Sequence, residues 1–152
     1  MLEPVVKTIT VSCTAETAFR IFTQDFSLWW PKDKHSVSAM GGNPAKAVTL
    51  VPEVGGAITE TGPDGTIHNW GSVRAYEPST KLSLLWHIGK PVEQATLVDV
   101  DFETVDQGTK VTLKHYDWEA LGDDAAAMRD GYNNGWVNVF EVCFAGACEV
   151  KT

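Results

Sequence analysis

The apolar positions of this chain change period twice, and each change marks a change of element. Val5 to Val11 reads as a strand. Thr14 is placed to cap a helix with Glu16 in its first turn, and Ala18, Phe19, Ile21 and Phe22 give that helix its apolar side. Asp25 to Trp30 predicts a second short helix, which Pro31 ends. Lys32 to Asn43 is polar, aperiodic and carries Gly41-Gly42, which predicts a loop of about a dozen residues that forms a mobile rim over one end of a cavity.

From Ala45 the period is two. Ala47 to Val51 and Ala57 to Thr61 read as strands on either side of Pro52 and Gly55-Gly56. Gly62-Pro63-Asp64-Gly65 is a turn, because proline fixes φ and glycine accepts a positive one. Thr66 to Tyr76 reads as a long strand ended by Glu77-Pro78-Ser79. Leu82, Leu84, Trp86 and Ile88 alternate along the next, which turns His87 outward. Val98, Val100 and Phe102 alternate with Asp99, Asp101 and Glu103, the pattern of a sheet with one wet face. Val111, Leu113 and His115 mark the last strand.

The period then becomes helical. Met128, Tyr132, Gly135, Trp136, Val139, Phe140 and Cys143 recur at steps near three and four within Asp123 to Ala147. Asp130, Asn133, Asn134, Asn138 and Glu141 take the other side. This predicts one long amphipathic helix, the only large apolar partner for the sheet. The fold class expected is therefore α+β, a curved antiparallel sheet wrapped around a long C-terminal helix, in a single domain over residues 1–152. Gly131 and Gly135 each cost the helix about 1 kcal/mol against alanine. That suggests space or close approach beside Tyr132 and Trp136.

Net charge is −8 over 152 residues. Nucleic acids and anionic membrane surfaces both call for a basic patch, so neither is an expected partner. No apolar run reaches the ~18 residues of a membrane span, and no signal-peptide order opens the chain. Cys13, Cys143 and Cys148 form no CxxC pair and read as reduced thiols of a cytoplasmic protein. The four histidines lack metal spacing, and Asp99, Asp101 and Glu103 read as a solvated strand face. There is no nucleophile elbow, phosphate loop or dinucleotide fingerprint, so no metal, no cofactor and no catalytic residue is assigned.

The candidates for a binding site are aromatic. Trp70, Trp86 and Trp136 lie on different elements and converge only in the fold, as a packed core or as the wall of a pocket with Tyr132, His115 and Glu60 for polar groups. His115 continues the inward face of Val111 and Leu113. Glu60 shares a face with Ile58, and a buried carboxylate there would need partners. With a three-residue loop His68 falls opposite Glu60 and Trp70 opposite Ile58. With a four-residue loop Ile67 falls opposite Glu60. The register is open between the two.

The order of elements resembles the helix-grip fold of the START-like, or SRPBCC, superfamily. Phe22-Thr23, Trp29-Trp30-Pro31, His35-Ser36, Val54-Gly55-Gly56, Asp64-Gly65, Trp70-Gly71, Glu77-Pro78 and Gly131-Tyr132 with Gly135-Trp136 look like a bacterial family similar to the C-terminal domain of the activator of the heat-shock-protein-90 ATPase. Val51 stands before Pro52 where that family usually has an acidic residue. The resemblance implies a cavity-bearing protein with no generally assigned reaction. The function expected is binding of a small apolar or aromatic molecule between the C-terminal helix and the sheet, by Glu60, Trp70, Trp86, His115, Tyr132 and Trp136. The alternatives are a cyclase- or aromatase-like enzyme, and a co-chaperone-like regulator whose protein partner is a large ATPase.

Overall fold

The computed structural model describes residues 2–150. Seven antiparallel strands form one curled sheet: β1 (Val5–Val11), β2 (Ala47–Leu50), β3 (Ala57–Thr61), β4 (Ile67–Glu77), β5 (Lys81–Trp86), β6 (Thr96–Val105) and β7 (Gly108–Tyr116), in the order β1-β7-β6-β5-β4-β3-β2. Helices α1 (Ala15–Thr23) and α2 (Phe26–Trp29) follow β1. Thr14 caps α1 as expected, its hydroxyl accepting from the Thr17 amide. After β7 a 3-10 turn, Trp118–Asp124, leads into the long C-terminal helix.

That helix lies in the grip of the sheet, as the pattern predicted, but it is not uniform. It runs as α4 (Ala125–Trp136), a π-helical stretch (Val137–Phe144) and α5 (Ala145–Val150). The π stretch buries Val139, Phe140 and Phe144, with Phe140 stacked on Phe144 at 5.7 Å. Beyond it, α5 is tied to the end of β1: the Ser12 amide and hydroxyl donate to the Glu149 carboxylate at 3.1 and 2.6 Å.

Beneath the helix the sheet presents Leu82, Leu84, Val98, Val100, Val111 and Leu113, all fully buried. We expect Val100→Asp to unfold the protein, since it places an unpaired charge in that layer; a cooperative melt near the wild-type temperature would contradict the packing.

Three local expectations change. Lys32 to Asn43 is not all loop: it holds a short helix α3 (Val37–Met40), capped by the Ser36 hydroxyl. His87 is buried rather than outward, because β5 ends at Trp86 and alternation ends with it; its Nδ1 lies 2.9 Å from the Lys90 carbonyl. Asp99 is half-buried, not freely solvated: it accepts from Ser83 at 2.5 Å and Tyr116 at 3.0 Å, and Arg74 donates to the same Ser83.

The β3–β4 register resolves with His68 opposite Glu60. Trp70 is not opposite Ile58, however. A bulge after Ile58 puts Gly71 there instead. The backbone of β5 passes so close that a Cβ on Gly71 would sit 1.8 Å from the Leu85 carbonyl oxygen. Glycine is required at that crossing, and the bulge turns Trp70 inward beside Glu60.

Candidate functional site

Aromatic rings pack between helix and sheet. The rings of Trp30, Trp70, Trp86 and Trp136 pack with centroids 5.2–6.1 Å apart. Phe22, Phe26, Trp29 and Phe144 extend this aromatic layer toward α1. Large aromatics from four elements converge there, where the sequence led to the expectation of a cavity.

The open space lies one layer out. A cleft of about 220 Å³ separates the long helix from the 32–43 segment. Its helix wall is Ala127, Met128, Gly131, Tyr132, Gly135, Trp136 and Val139, and its facing wall is Trp30, Lys34, His35, Met40 and Ile88. The two helix glycines act differently. A Cβ on Gly131 would meet nothing within 4 Å, so its absence leaves the mouth open. A Cβ on Gly135 would lie 3.5 Å from the His35 ring, an ordinary contact, so Gly135 marks where His35 packs against the helix. The π-helical stretch begins at this wall, and such stretches recur at functional sites.

Of the six residues expected to form the site, Tyr132 and Trp136 line the cleft. Glu60, Trp70, Trp86 and His115 do not: they are buried behind its walls and hold them in place. The Glu60 carboxylate accepts from the amides of Val37 and Ser38 at 2.8 Å each, from the Ser38 hydroxyl at 2.5 Å and from the Trp70 indole at 3.0 Å. Burial alone would raise its pKa, but these bonds, Ser38's first, together hold it below the usual carboxylate range. Glu60 thus pins the first turn of α3, and with it the rim, to the sheet.

His115 is the centre of a second buried chain. Trp136 Nε1 donates to His115 Nδ1 at 3.0 Å, and His115 Nε2 lies 2.6 Å from the Thr96 hydroxyl, which donates to the Trp86 carbonyl at 3.2 Å. The bonds are mutually consistent only for a neutral imidazole protonated on Nε2. Burial pushes its pKa down to about 3. His115 also packs on Trp118 at 4.1 Å and Tyr132 at 4.6 Å. It fixes the orientation of Trp136, and so one wall of the cleft.

Tyr132 keeps its proton: burial pushes the phenol up to about 12, against a smaller opposing effect of the Trp86 indole. That indole N–H is buried without a full hydrogen bond. The Lys32 to Asn43 segment was expected to rim a cavity, and Lys34, His35 and Met40 of it do line the cleft, although none of the three was singled out as a site residue. Trp29-Trp30-Pro31 and His35-Ser36, with the Gly41-Gly42 pair, were its traces in the sequence. Among the described residues no group of three His, Cys, Asp or Glu side chains is placed to hold a metal, and no helix is long and apolar enough to cross a membrane.

The family model described as activator of Hsp90 ATPase homolog 1-like protein matches residues 12–143. The chain belongs to this family. Solved structures similar to this Hsp90-activator-like chain share its helix-grip fold. A protein of Mesorhizobium loti is 19% identical, with 95% of each chain covered and a TM-score of 0.68. The Aha1 dimer of Colwellia psychrerythraea is 17% identical, with 93% of this chain and 96% of that one covered and a TM-score of 0.61. An anthrahydroquino-γ-pyrone synthase in a complex is 25% identical, with 87% and 88% covered and a TM-score of 0.59. No curated protein matches the chain. Within the family frame, the cleft has one wall on the long helix and the other on the segment after Trp29-Trp30-Pro31.

Proposed function

We propose that this member of the Hsp90-activator-like family binds a small, mostly apolar or aromatic molecule in the cleft between α4 and the 32–43 segment. The observation that carries the reading is the open space at Gly131, walled by Trp30, Met128, Tyr132 and Trp136. A dry cavity of about 150 Å³ accepts one benzene ring. A cleft of about 220 Å³ therefore suits one or two rings, not a polycyclic molecule. The rim is pinned by Glu60, which supports a largely preformed site.

Gly131→Leu separates this reading from a purely structural one. Leucine in place of glycine should stabilise the helix by about 0.8 kcal/mol while filling the mouth of the cleft. We expect the melting temperature to hold or rise and 1-naphthol binding, followed by tryptophan fluorescence, to weaken about tenfold or more. Native mass spectrometry of the purified protein would show any molecule retained from the cell. Wild-type protein that binds no ring compound, or a Gly131→Leu variant that binds as well as wild type, would overturn the proposal.

A cyclase-like reaction is a second reading, supported by the synthase among the similar structures. Three of the groups that could serve as acid or base do not: Glu60 and His115 are buried behind the walls, and the Tyr132 phenol stays protonated, which leaves His35 at the rim. Binding without catalysis is the function the geometry supports best.

A further inference from the structure

The charge around the cleft is opposite to that of the protein. The chain carries 20 acidic and 12 basic residues, yet no aspartate or glutamate lines the cleft, and its two ionisable bases, Lys34 and His35, sit side by side on the rim. Lys34 makes no ion pair among the described residues. Neither ring nitrogen of His35 has a hydrogen-bond partner among them. Both residues are held by their backbone. The amides of Lys34 and His35 donate to the Pro31 carbonyl at 3.2 and 3.0 Å, and Trp30 Nε1 donates to the His35 carbonyl at 2.7 Å. The indole that walls the cleft thus also sets the turn that presents its basic pair.

We infer that the cleft takes a small aromatic carboxylate, its one or two rings against Trp30 and Trp136 and its carboxylate at the rim beside Lys34 and His35. The inference rests on the binding reading above and specifies its ligand. Burial, then the Lys34 charge, lowers the His35 pKa, and the nearby Asp33 opposes this less strongly. At neutral pH the rim therefore offers one formal positive charge and one neutral N–H donor, which matches a monoanion with two oxygens. A bare inorganic anion would gain nothing from the apolar walls. A neutral ring would leave the rim's donors unanswered by the ligand.

The test is calorimetric titration at pH 7.5 and low salt with 2-naphthoate and its neutral isostere 2-naphthalenemethanol. Wild type should bind the carboxylate about tenfold more tightly than the alcohol, as expected for one ion pair in a partly desolvated cleft. The preference should shrink in 0.5 M salt. Lys34→Gln should bring the two affinities within about threefold of each other. Lys110→Gln, which removes one exposed positive charge from β7, should keep the wild-type preference and so control for net charge. Equal affinity of wild type for both compounds, or an undiminished preference in Lys34→Gln, would overturn the carboxylate assignment while leaving the cleft as a binding site. Binding of neither compound would overturn both.

Discussion

Glu60→Ala should cost about 3–5 kcal/mol of stability and remove ring binding together. The carboxylate is fully buried and accepts four hydrogen bonds, from two amides, a hydroxyl and an indole. Alanine would strand all four donors and release α3 from the sheet. At roughly 2–4 °C per kcal/mol for a domain of this size, the melting temperature should fall by ~10 °C. Glu60→Gln should be nearly as damaging. Every group facing the carboxylate is a donor, and an amide replaces one acceptor by a donor. The amides of Val37 and Ser38 report directly: slow hydrogen exchange in wild type, fast in either variant. A Glu60→Gln protein with wild-type stability and protection would show that the carboxylate is not the clasp.

Acid should weaken the fold well before the carboxylates titrate. The His115 imidazole is neutral when folded and protonates only near about 3, whereas the unfolded group takes up its proton near 6.5. Its contribution to stability is complete above pH 6.5 and is lost as pH falls toward 3, at about 1.4 kcal/mol per pH unit. Between pH 6.5 and pH 5 this amounts to ~2 kcal/mol, or roughly 4–8 °C in melting temperature. Glu60 adds a loss of the same sign only at lower pH, since its folded pKa is also depressed. His115→Gln can still offer Trp136 an acceptor and Thr96 a donor but does not titrate. It should lower stability at pH 7.5, through lost packing on Trp118, and flatten the slope between pH 7.5 and pH 5. Thermal melts of both proteins across that range would show it. Parallel slopes would contradict the assignment of the acid sensitivity to His115.

What could be read from the sequence was what depends on period. Alternation placed the seven strands, and the step of three to four placed the long helix, because one face of each must be buried. The sequence left the contents of the grip undetermined. Which side chains fill the space between two faces depends on the curl of the sheet, on the bulge that turns Trp70 inward and on the π stretch after Trp136. None of these has a period. Gly131 and Gly135 did mark the cleft, through a helix-propensity cost that packing alone would not demand, although one marks space and the other a contact with His35. Glu60 was legible as a buried carboxylate and expected as a ligand group, but its amide partners, 22 and 23 residues away in an aperiodic segment, could not be read from the sequence. The partners of His115 were hidden for the same reason: Trp136 and Thr96 come together around it only in the fold.

The most direct test of the central claim is an amide correlation spectrum of isotope-labelled protein titrated with 2-naphthoate or 1-naphthol. A ligand seated between α4 and the rim should shift the amides of Lys34, His35, Met40, Gly131, Tyr132 and Gly135 first and most. Amides on the outer sheet face, such as those of Asp101 and Lys110, should stay still. Saturating shifts confined to that set are the predicted result. Shifts spread over the outer face, or none at concentrations that saturate ordinary aromatic sites, would contradict it.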